Sequence, residues 1–248
     1  STNRWHSFLR MQKKVAPKLN QVICPSNQSK EDVIKEFKVK QENIDVVLNG
    51  IDIEGFSRNE SIEIKPYRII TAASADVPLK GLRFLIEAMK EIIDEIPEAH
   101  LVVIGKAKKE GEILKQISSL NLEENISFHS GLSQIELVSL YSSSQISVIP
   151  SLYEGFGFGA GEAMACGLPL ISTQSGGLKE VIGDEAVIIE SSSSKAISKA
   201  VKELFSNKEQ QLSLSKSGRQ RMEKEFNWTK AAIGYEKIYA KAIEEFSN

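Results

Sequence analysis

One stretch of the sequence combines closely spaced glycines with two carboxylates. It runs from Pro150 to Glu162 and holds four glycines at alternate positions, from Gly155 to Gly161. Glycines let the backbone approach a ligand closely, and the helix expected to follow directs unpaired N–H groups toward an anion. This pattern predicts a phosphate or diphosphate site. Glu154 and Glu162 would repel a phosphate, so we expect these two carboxylates to bind hydroxyl groups of the same ligand.

A lysine precedes a predicted helix in a second loop. Lys80 stands in Pro78-Leu79-Lys80-Gly81, after a strand predicted at 69–72. A lysine at this place can reach a phosphate and neutralise its charge as it leaves. Without the glycine loop, a solvated loop lysine would be the better interpretation, and Glu162 alone could simply stabilise its own helix N-terminus. The two loops together favour a ligand that carries phosphates between sugar groups.

The elements that must position these residues alternate along the chain. Short apolar segments predict strands, and longer segments with one apolar face predict helices. Strands are expected at 21–24, 44–48, 69–72, 101–104, 126–128, 146–149, 170–172 and 187–189, and helices at 3–16, 29–38, 82–96, 109–120, 134–143, 159–166, 177–182, 195–206, 208–225 and 229–246. This alternation predicts an α/β fold with a doubly wound, Rossmann-like parallel sheet. Such sheets bind ligands beyond the carboxyl ends of their strands, where both loops lie.

Composition and charge narrow the function classes. The 248 residues include 31 Lys and Arg against 33 Asp and Glu, and 41% are hydrophobic, as in an ordinary globular protein. Basic residues dominate 1–30 and the rest is acidic, so we expect no nucleic-acid partner. Two cysteines and three scattered histidines predict neither a disulfide framework nor a metal site.

The apolar segments also bear on location. None approaches the ~20 residues of a membrane span, and the first residues lack the apolar core of a signal peptide, so we expect a cytoplasmic protein. The basic helix at 3–16 leaves peripheral membrane contact as an alternative to packing on a sheet.

Several motifs in the chain resemble those of the retaining glycosyltransferases of family 4, which have the two-domain GT-B fold. The resemblance runs from about residue 20 to the end of the chain. Its strongest carriers are Glu154-Gly155-Phe156-Gly157, Glu162-Ala163-Met164-Ala165-Cys166-Gly167-Leu168-Pro169 and Ser175-Gly176-Gly177. The others are Cys24-Pro25-Ser26, Leu48-Asn49-Gly50-Ile51-Asp52, Pro78-Leu79-Lys80-Gly81, Val103-Ile104-Gly105 and Phe128-His129-Ser130-Gly131.

This resemblance implies a role for each matching position. Lys80 and Glu154 are the candidate catalytic residues: Lys80 would contact the donor diphosphate and Glu154 the hydroxyls of the donor sugar. Glu162 would hold the nucleotide ribose. The other donor-binding candidates are Gly155, Phe156, Gly157 and Phe158 beside the sugar and phosphates, and His129, Gly131 and Leu132 beside the base.

The implied reaction transfers a sugar from a UDP-, GDP- or ADP-linked donor to an acceptor hydroxyl, with retention at the anomeric carbon. The leaving phosphate is expected to accept the proton of the acceptor, so no protein nucleophile, cofactor or metal is required. The family usually has an arginine after the first strand of this domain, where Ser74 or Ala75 stands here. We expect Ser74 to assist Lys80 at the diphosphate.

The resemblance also divides the chain. Residues 1–50 correspond to the end of an N-terminal acceptor domain, 51–67 to a connector, 68–228 to the nucleotide-sugar-binding domain and 229–248 to a helix that crosses back. We therefore expect a longer enzyme whose missing N-terminal domain binds the acceptor, and we expect this chain alone to bind the donor with little turnover. Trp5 and Phe8 would then lack packing partners, which favours self-association.

Two other functions fit parts of the sequence. Gly155-Phe156-Gly157-Phe158-Gly159-Ala160 matches the dinucleotide fingerprint of an oxidoreductase, but that fingerprint follows the first strand of its unit and needs an acid that ends the second. This loop follows a later strand, and Thr173-Gln174-Ser175 contains no acid. A non-catalytic nucleotide-sugar-binding module would use the same residues as an enzyme.

Overall fold

A small unit with a two-stranded sheet forms the first part of the structure. The computed structural model describes residues 2–73 and 77–247, and the side chains within 7–73 and 77–244. The small unit contains helix α1 (Thr2–Val15), strand β1 (Val22–Cys24), helix α2 (Asn27–Phe37) and strand β2 (Ile44–Val46). The two strands are parallel, with Val22 opposite Ile44, and the buried Cys24, Val39 and Ile44 pack against α2.

A larger unit follows, and it has the predicted α/β fold. Its strands are β3 (Arg68–Ala72), β4 (His100–Ile104), β5 (Ile126–His129), β6 (Ile146–Ile149), β7 (Leu170–Ser172) and β8 (Val187–Ile188). Its helices are α3 (Leu82–Glu95), α4 (Glu112–Ser119), α5 (Gln134–Ser142), α6 (Phe158–Ala165), α7 (Leu178–Ile182), α8 (Ser194–Ser206), α9 (Lys208–Glu225) and α10 (Trp228–Ser247). The strands form one parallel sheet in the order β5-β4-β3-β6-β7-β8.

The order in which successive strands join the sheet reverses at its centre. The chain runs outward from β3 to β4 and β5, and then returns to place β6 on the other side of β3, with Ile69 opposite Ile146. At such a reversal the flanking connections leave on opposite faces, which opens a crevice at the carboxyl ends of the two central strands. The loops that hold Lys80 and Glu154 follow these two strands.

Apolar side chains cover both faces of the sheet. On one face α3 and α8 bury residues such as Leu85, Met89 and Val201, and on the other α6 and α9 bury Met164 and Met222. Burial of each such side chain contributes about 1.5–3 kcal/mol. The sheet is therefore a rigid base for the loops at its edge.

Helix α10 returns the chain to the small unit. The N–H of Ile51 donates to the carbonyl of Phe226 at 2.5 Å, and Ile51 also forms a parallel bridge with Asn227. A glycine allows this approach, because a Cβ at Gly50 would lie 2.6 Å from the Trp228 side chain. The chain therefore passes between the two units at two adjacent points.

Helix α1 exposes apolar side chains along its length. Phe8, Met11 and Val15 are each nearly half exposed, whereas the side chain of Trp5 lies outside the described residues. Self-association through this helix stays a prediction. Across the described part of the chain, each helix is too short or too polar to span a bilayer.

Candidate active site

The carboxyl ends of β3 and β6 border an open cleft of about 480 Å³. Its lining residues are Pro25 and Asn49 from the small unit, Ala72, Ala73, Lys80 and Ile104 from the first half of the sheet, and Glu154, Gly155, Phe156, Gly157, Phe158, Gly159 and Glu162 after β6. The volume suits a small-molecule ligand. The structure thus brings together the lysine, both carboxylates and the glycine loop, which the sequence places in separate segments.

Lys80 is positioned by a tight contact between the loops after β3 and β6. It ends a short 3₁₀ helix, Pro78–Lys80, and is followed by Gly81 with φ of +67°. A Cβ at Gly81 would lie 2.0 Å from the carbonyl oxygen of Pro150, so glycine is required at this crossing. The N–H of Leu152 donates to the carbonyl of Leu79 at 2.7 Å, which joins the loops a second time.

Glu154 receives two hydrogen bonds on one carboxylate oxygen. Lys80 Nζ lies 2.6 Å from Glu154 Oε1, and Ser151 Oγ donates to the same atom at 2.9 Å. The backbone of Ser151 is held in turn by the hydroxyl of Thr173, which donates to the Ser151 carbonyl at 2.6 Å. Because charged hydrogen bonds of this kind are directional, they fix the carboxylate at the edge of the cleft.

The glycine loop brings the start of α6 to the cleft. Gly157, with φ of +115°, precedes the helix, and Phe158 and Gly159 in its first turn line the cleft. A Cβ at Gly159 would lie 2.7 Å from the Ala72 side chain at the end of β3. The unpaired N–H groups of a helix N-terminus favour an anion, so this turn suits a phosphate.

A second pair of glycines seats this loop. The N–H of Gly177 donates to the carbonyl of Glu154 at 2.7 Å, and a Cβ at Gly176 would lie only 2.1 Å from that carbonyl oxygen. Gly176 also has φ of +67°. The Ser175-Gly176-Gly177 motif therefore lets the backbone of Glu154 approach more closely than any side chain would allow.

Glu162 projects from α6 and is held by a buried phenol. The hydroxyl of Tyr141 donates to Glu162 Oε2 at 3.2 Å. Burial raises the pKa of the Glu162 carboxyl, and this hydrogen bond partly opposes the shift. Burial, and after it the charge of Glu162, raises the pKa of the Tyr141 phenol well above its usual value, so Tyr141 is a hydrogen-bond donor at neutral pH.

Comparisons with known proteins bear directly on this cleft. The family model described as glycosyl transferases group 1 matches residues 54–221, and the model described as glycosyltransferase family 4 matches residues 1–54. The chain belongs to the group 1 glycosyltransferases. The residues of the cleft lie within these two matches.

Three similar proteins are longer than this chain. MMP alpha-(1->4)-mannosyltransferase of Mycolicibacterium hassiacum is 34% identical over 97% of the chain, which spans 58% of that protein's length. Sucrose-phosphate synthase of Thermosynechococcus elongatus has a TM-score of 0.82 at 23% identity, over 97% of this chain and 62% of that one. HepE of Anabaena, in complex with UDP and glucose, has a TM-score of 0.84 at 20% identity, over 94% and 66%. The structural likenesses establish the GT-B type of fold.

The residues predicted to border the base lie beside the cleft of this glycosyltransferase chain. His129 ends β5, where it is opposite Ile104, and the N–H of Gly105 donates to its carbonyl at 2.8 Å. Gly131 and Leu132 follow. Ile104 lines the cleft, whereas His129, Gly131 and Leu132 are not among its lining residues. Ser74 lies outside the described residues, so its role stays a prediction.

Four contributors to the cleft that come from the small unit were not predicted in that role. Pro25 and Asn49 line the cleft, and Ser26 and Ser29 donate to the Gly155 carbonyl. All four residues lie in the small unit or directly after it. Motifs containing Pro25, Ser26 and Asn49 carried the family resemblance, but nothing in their spacing indicated a contact more than 100 residues away. Tyr141 was likewise missed, because a core tyrosine on a helix is ordinary.

The two cysteines, Cys24 and Cys166, are buried free thiols, and burial raises the pKa of Cys166 to about 12. Within the ranges that the structure describes, no cluster of three His, Cys, Asp or Glu side chains is arranged to hold a metal ion.

Proposed function

We propose that this cleft binds a nucleotide-diphosphate sugar and that the whole protein transfers the sugar to an acceptor hydroxyl with retention. The observation that carries the proposal is the convergence of Lys80, Glu154 and Glu162 around the glycine loop. One cation, a set of backbone amides and two separated carboxylates complement a diphosphate between two hydroxyl-bearing groups. A ligand without sugar hydroxyls would leave both carboxylates facing its phosphates.

Each group then has one partner on the donor. Lys80 and the amides at the start of α6 bind the diphosphate. Glu154, oriented by Ser151, accepts hydrogen bonds from the sugar, and Glu162, oriented by Tyr141, accepts them from the ribose diol. His129, Gly131 and Leu132 border the base, and Ser74 assists at the diphosphate.

The chemical step breaks the bond between the anomeric carbon and the terminal phosphate oxygen. The bonding electron pair leaves with the nucleoside diphosphate, while the acceptor oxygen forms its bond on the same face of the sugar. The proton of the acceptor hydroxyl passes to the departing phosphate oxygen. Lys80 and the helix N-terminus stabilise the negative charge that develops there, which is the largest contribution such a site can make. The proposal requires no resident cofactor.

The acceptor is bound elsewhere in this proposal. Residues 1–50 are the end of an acceptor-binding domain, 51–67 the connector, 68–228 the donor-binding domain and 229–248 the returning helix. The fact that the chain spans 58% of the length of its mannosyltransferase relative supports this division. We expect the chain alone to bind the donor and to transfer little sugar.

The donor can be identified by binding. Calorimetry should compare UDP, GDP and ADP with UDP-glucose, GDP-mannose and ADP-glucose on the same chain. HepE holds UDP and glucose, and the relative is a mannosyltransferase, so we expect binding in the UDP or GDP series. Failure of all six compounds to bind would contradict the proposal. Donor turnover by the longer protein with an acceptor would separate an enzyme from a non-catalytic module.

The oxidoreductase alternative is disfavoured by the position of the glycine loop. A dinucleotide fingerprint follows the first strand of its sheet along the chain. This loop follows β6, which is the fourth strand of the larger sheet. Saturable binding of NADH at micromolar concentrations would be needed to revive that function.

A further inference from the structure

The carbonyl of Gly155 is held by two hydroxyl groups from the small unit. Ser26 Oγ lies 2.7 Å and Ser29 Oγ 3.0 Å from this carbonyl oxygen. Each hydroxyl has one proton, and a carbonyl oxygen has two lone pairs, so the oxygen can accept both hydrogen bonds. Because Gly155 belongs to the glycine loop, these bonds connect the small unit directly to the cleft.

The same peptide group carries the N–H of Phe156. The described peptide bonds are all trans, and in a trans peptide the N–H points away from the C=O. With the Gly155 oxygen turned toward the two serines, the Phe156 N–H is turned the opposite way. Phe156 is 4% exposed and lines the cleft, yet its N–H has no acceptor among the described residues. An N–H that borders a cleft and has no protein acceptor can donate to an oxygen of a bound ligand.

We propose that Ser26 and Ser29 are positioning residues for the donor: by holding the Gly155 carbonyl, they keep the Phe156 N–H available to an oxygen of the bound nucleotide sugar. This inference rests on the proposed function and adds to it a role for the small unit. Without the serines, the peptide next to the flexible Gly155 can rotate. Rotation would turn the Gly155 carbonyl oxygen toward the ligand in place of the Phe156 N–H. The ligand oxygen would then be repelled instead of bound.

A separate contact joins the same surfaces without touching Gly155. The backbone N–H of Asn27 and its side-chain Nδ2 each donate to the carboxylate of Glu180, both at 2.7 Å. This contact fixes the small unit against α7 but leaves the glycine loop alone. Asn27→Ala therefore provides a matched control, because it loosens the interface and keeps both hydrogen bonds to the Gly155 carbonyl.

The test is calorimetry on the 248-residue chain with UDP-glucose and GDP-mannose. Ser26→Ala/Ser29→Ala should lose about tenfold or more of the affinity for the tighter-binding compound, as for one hydrogen bond to a charged ligand. Ser29→Thr, which keeps the hydroxyl, and Asn27→Ala should stay within about twofold of wild type. In chains labelled with ¹⁵N-phenylalanine, the ligand should shift the Phe156 amide resonance in wild type but not in the double variant.

Each result decides the matter. An unchanged affinity in the folded double variant, or an equal loss in Asn27→Ala, would overturn the inference. Ser26 also caps α2 by accepting from the Ser29 N–H at 3.0 Å, so the double variant can lose stability. If it does not fold, Ser29→Ala alone decides, with an expected loss of about threefold and an unchanged affinity as the contrary result. Absence of binding by wild type would instead reject the proposed function.

Discussion

Lys80 Nζ lies 2.6 Å from Glu154 Oε1, although 74 residues separate them. The Glu154 side chain is 13% exposed and that of Lys80 is 31% exposed. On the proposed assignment of Lys80 to the donor diphosphate, the diphosphate would replace the Glu154 carboxylate as the anionic partner of the lysine.

Glu154→Gln should strengthen the binding of a nucleoside diphosphate while weakening recognition of the sugar. The variant frees Lys80 and removes a charge that repels phosphate, and a partly exposed ion pair of this kind is worth up to about fivefold in affinity. The extra affinity that the sugar gives should fall at the same time. Parallel calorimetry with UDP and UDP-glucose, or with GDP and GDP-mannose, measures both effects. Weaker binding of the nucleoside diphosphate would contradict the assigned exchange.

Lys80→Ala should weaken nucleoside diphosphate binding by about 1.5–3 kcal/mol, the usual range for hydrogen bonds to charged groups. Binding of the unphosphorylated nucleoside should not change, because it makes no contact with the lysine. Lys90→Ala is the control, since Lys90 pairs with Asp94 at 2.6 Å on the exposed side of α3. If both lysine variants bind the diphosphate equally well, Lys80 is not a diphosphate ligand.

Glu162→Gln should stabilise the chain at neutral pH while it weakens nucleotide binding about tenfold or more. The folded chain raises the pKa of Glu162 above its ordinary value of 4.5. The stability from this group is therefore fully present below pH 4.5 and is lost as pH rises through the raised pKa. The gain in Tm of the variant at pH 7 should shrink toward pH 4. Thermal denaturation between pH 4 and pH 8 tests this, and a lower Tm at pH 7 would show that the ionised carboxylate is stabilising.

Gly176→Ala should disrupt the glycine loop more than its backbone angle alone requires. Gly131 has a similar φ, +71° against +67°, but open space around its missing side chain, so Gly131→Ala should cost only about 1 kcal/mol. At Gly176 the added Cβ meets the Glu154 carbonyl, and we expect at least about 2 kcal/mol more. Denaturant unfolding of both variants measures the difference. Equal costs would mean that the loop can move away freely.

Local sequence signals predicted most of the helices and strands because each has its own pattern. The sequence predicts a helix from 134, and the structure starts α5 there with a capping box in which Ser133 and Glu136 make both hydrogen bonds. The start of α4 was placed too early, at 109, because Gly111 is extended and its N–H closes a turn onto Lys108. Short-range hydrogen bonds of this kind compete with the first turn of a helix, and apolar spacing does not reveal them.

The cleft was predicted less completely than the fold. The positions of Lys80 and Glu154 after parallel strands predicted that they would share one edge of the sheet. Their direct pairing was not predicted, because it depends on the tight crossing of Gly81 over Pro150. The contact of Ser26 with Gly155 spans 129 residues and two units, and no periodicity in the sequence carries that information.

The Ile51–Phe226 hydrogen bond joins the two units at the connector, and the hydrogen bonds of Ser26 and Ser29 join them again at the glycine loop. A movement of the small unit away from the glycine loop that keeps the connector hydrogen bond would break both serine bonds to the Gly155 carbonyl. On the proposed function, widening of the cleft and loss of the serine contacts to its loop would then occur together.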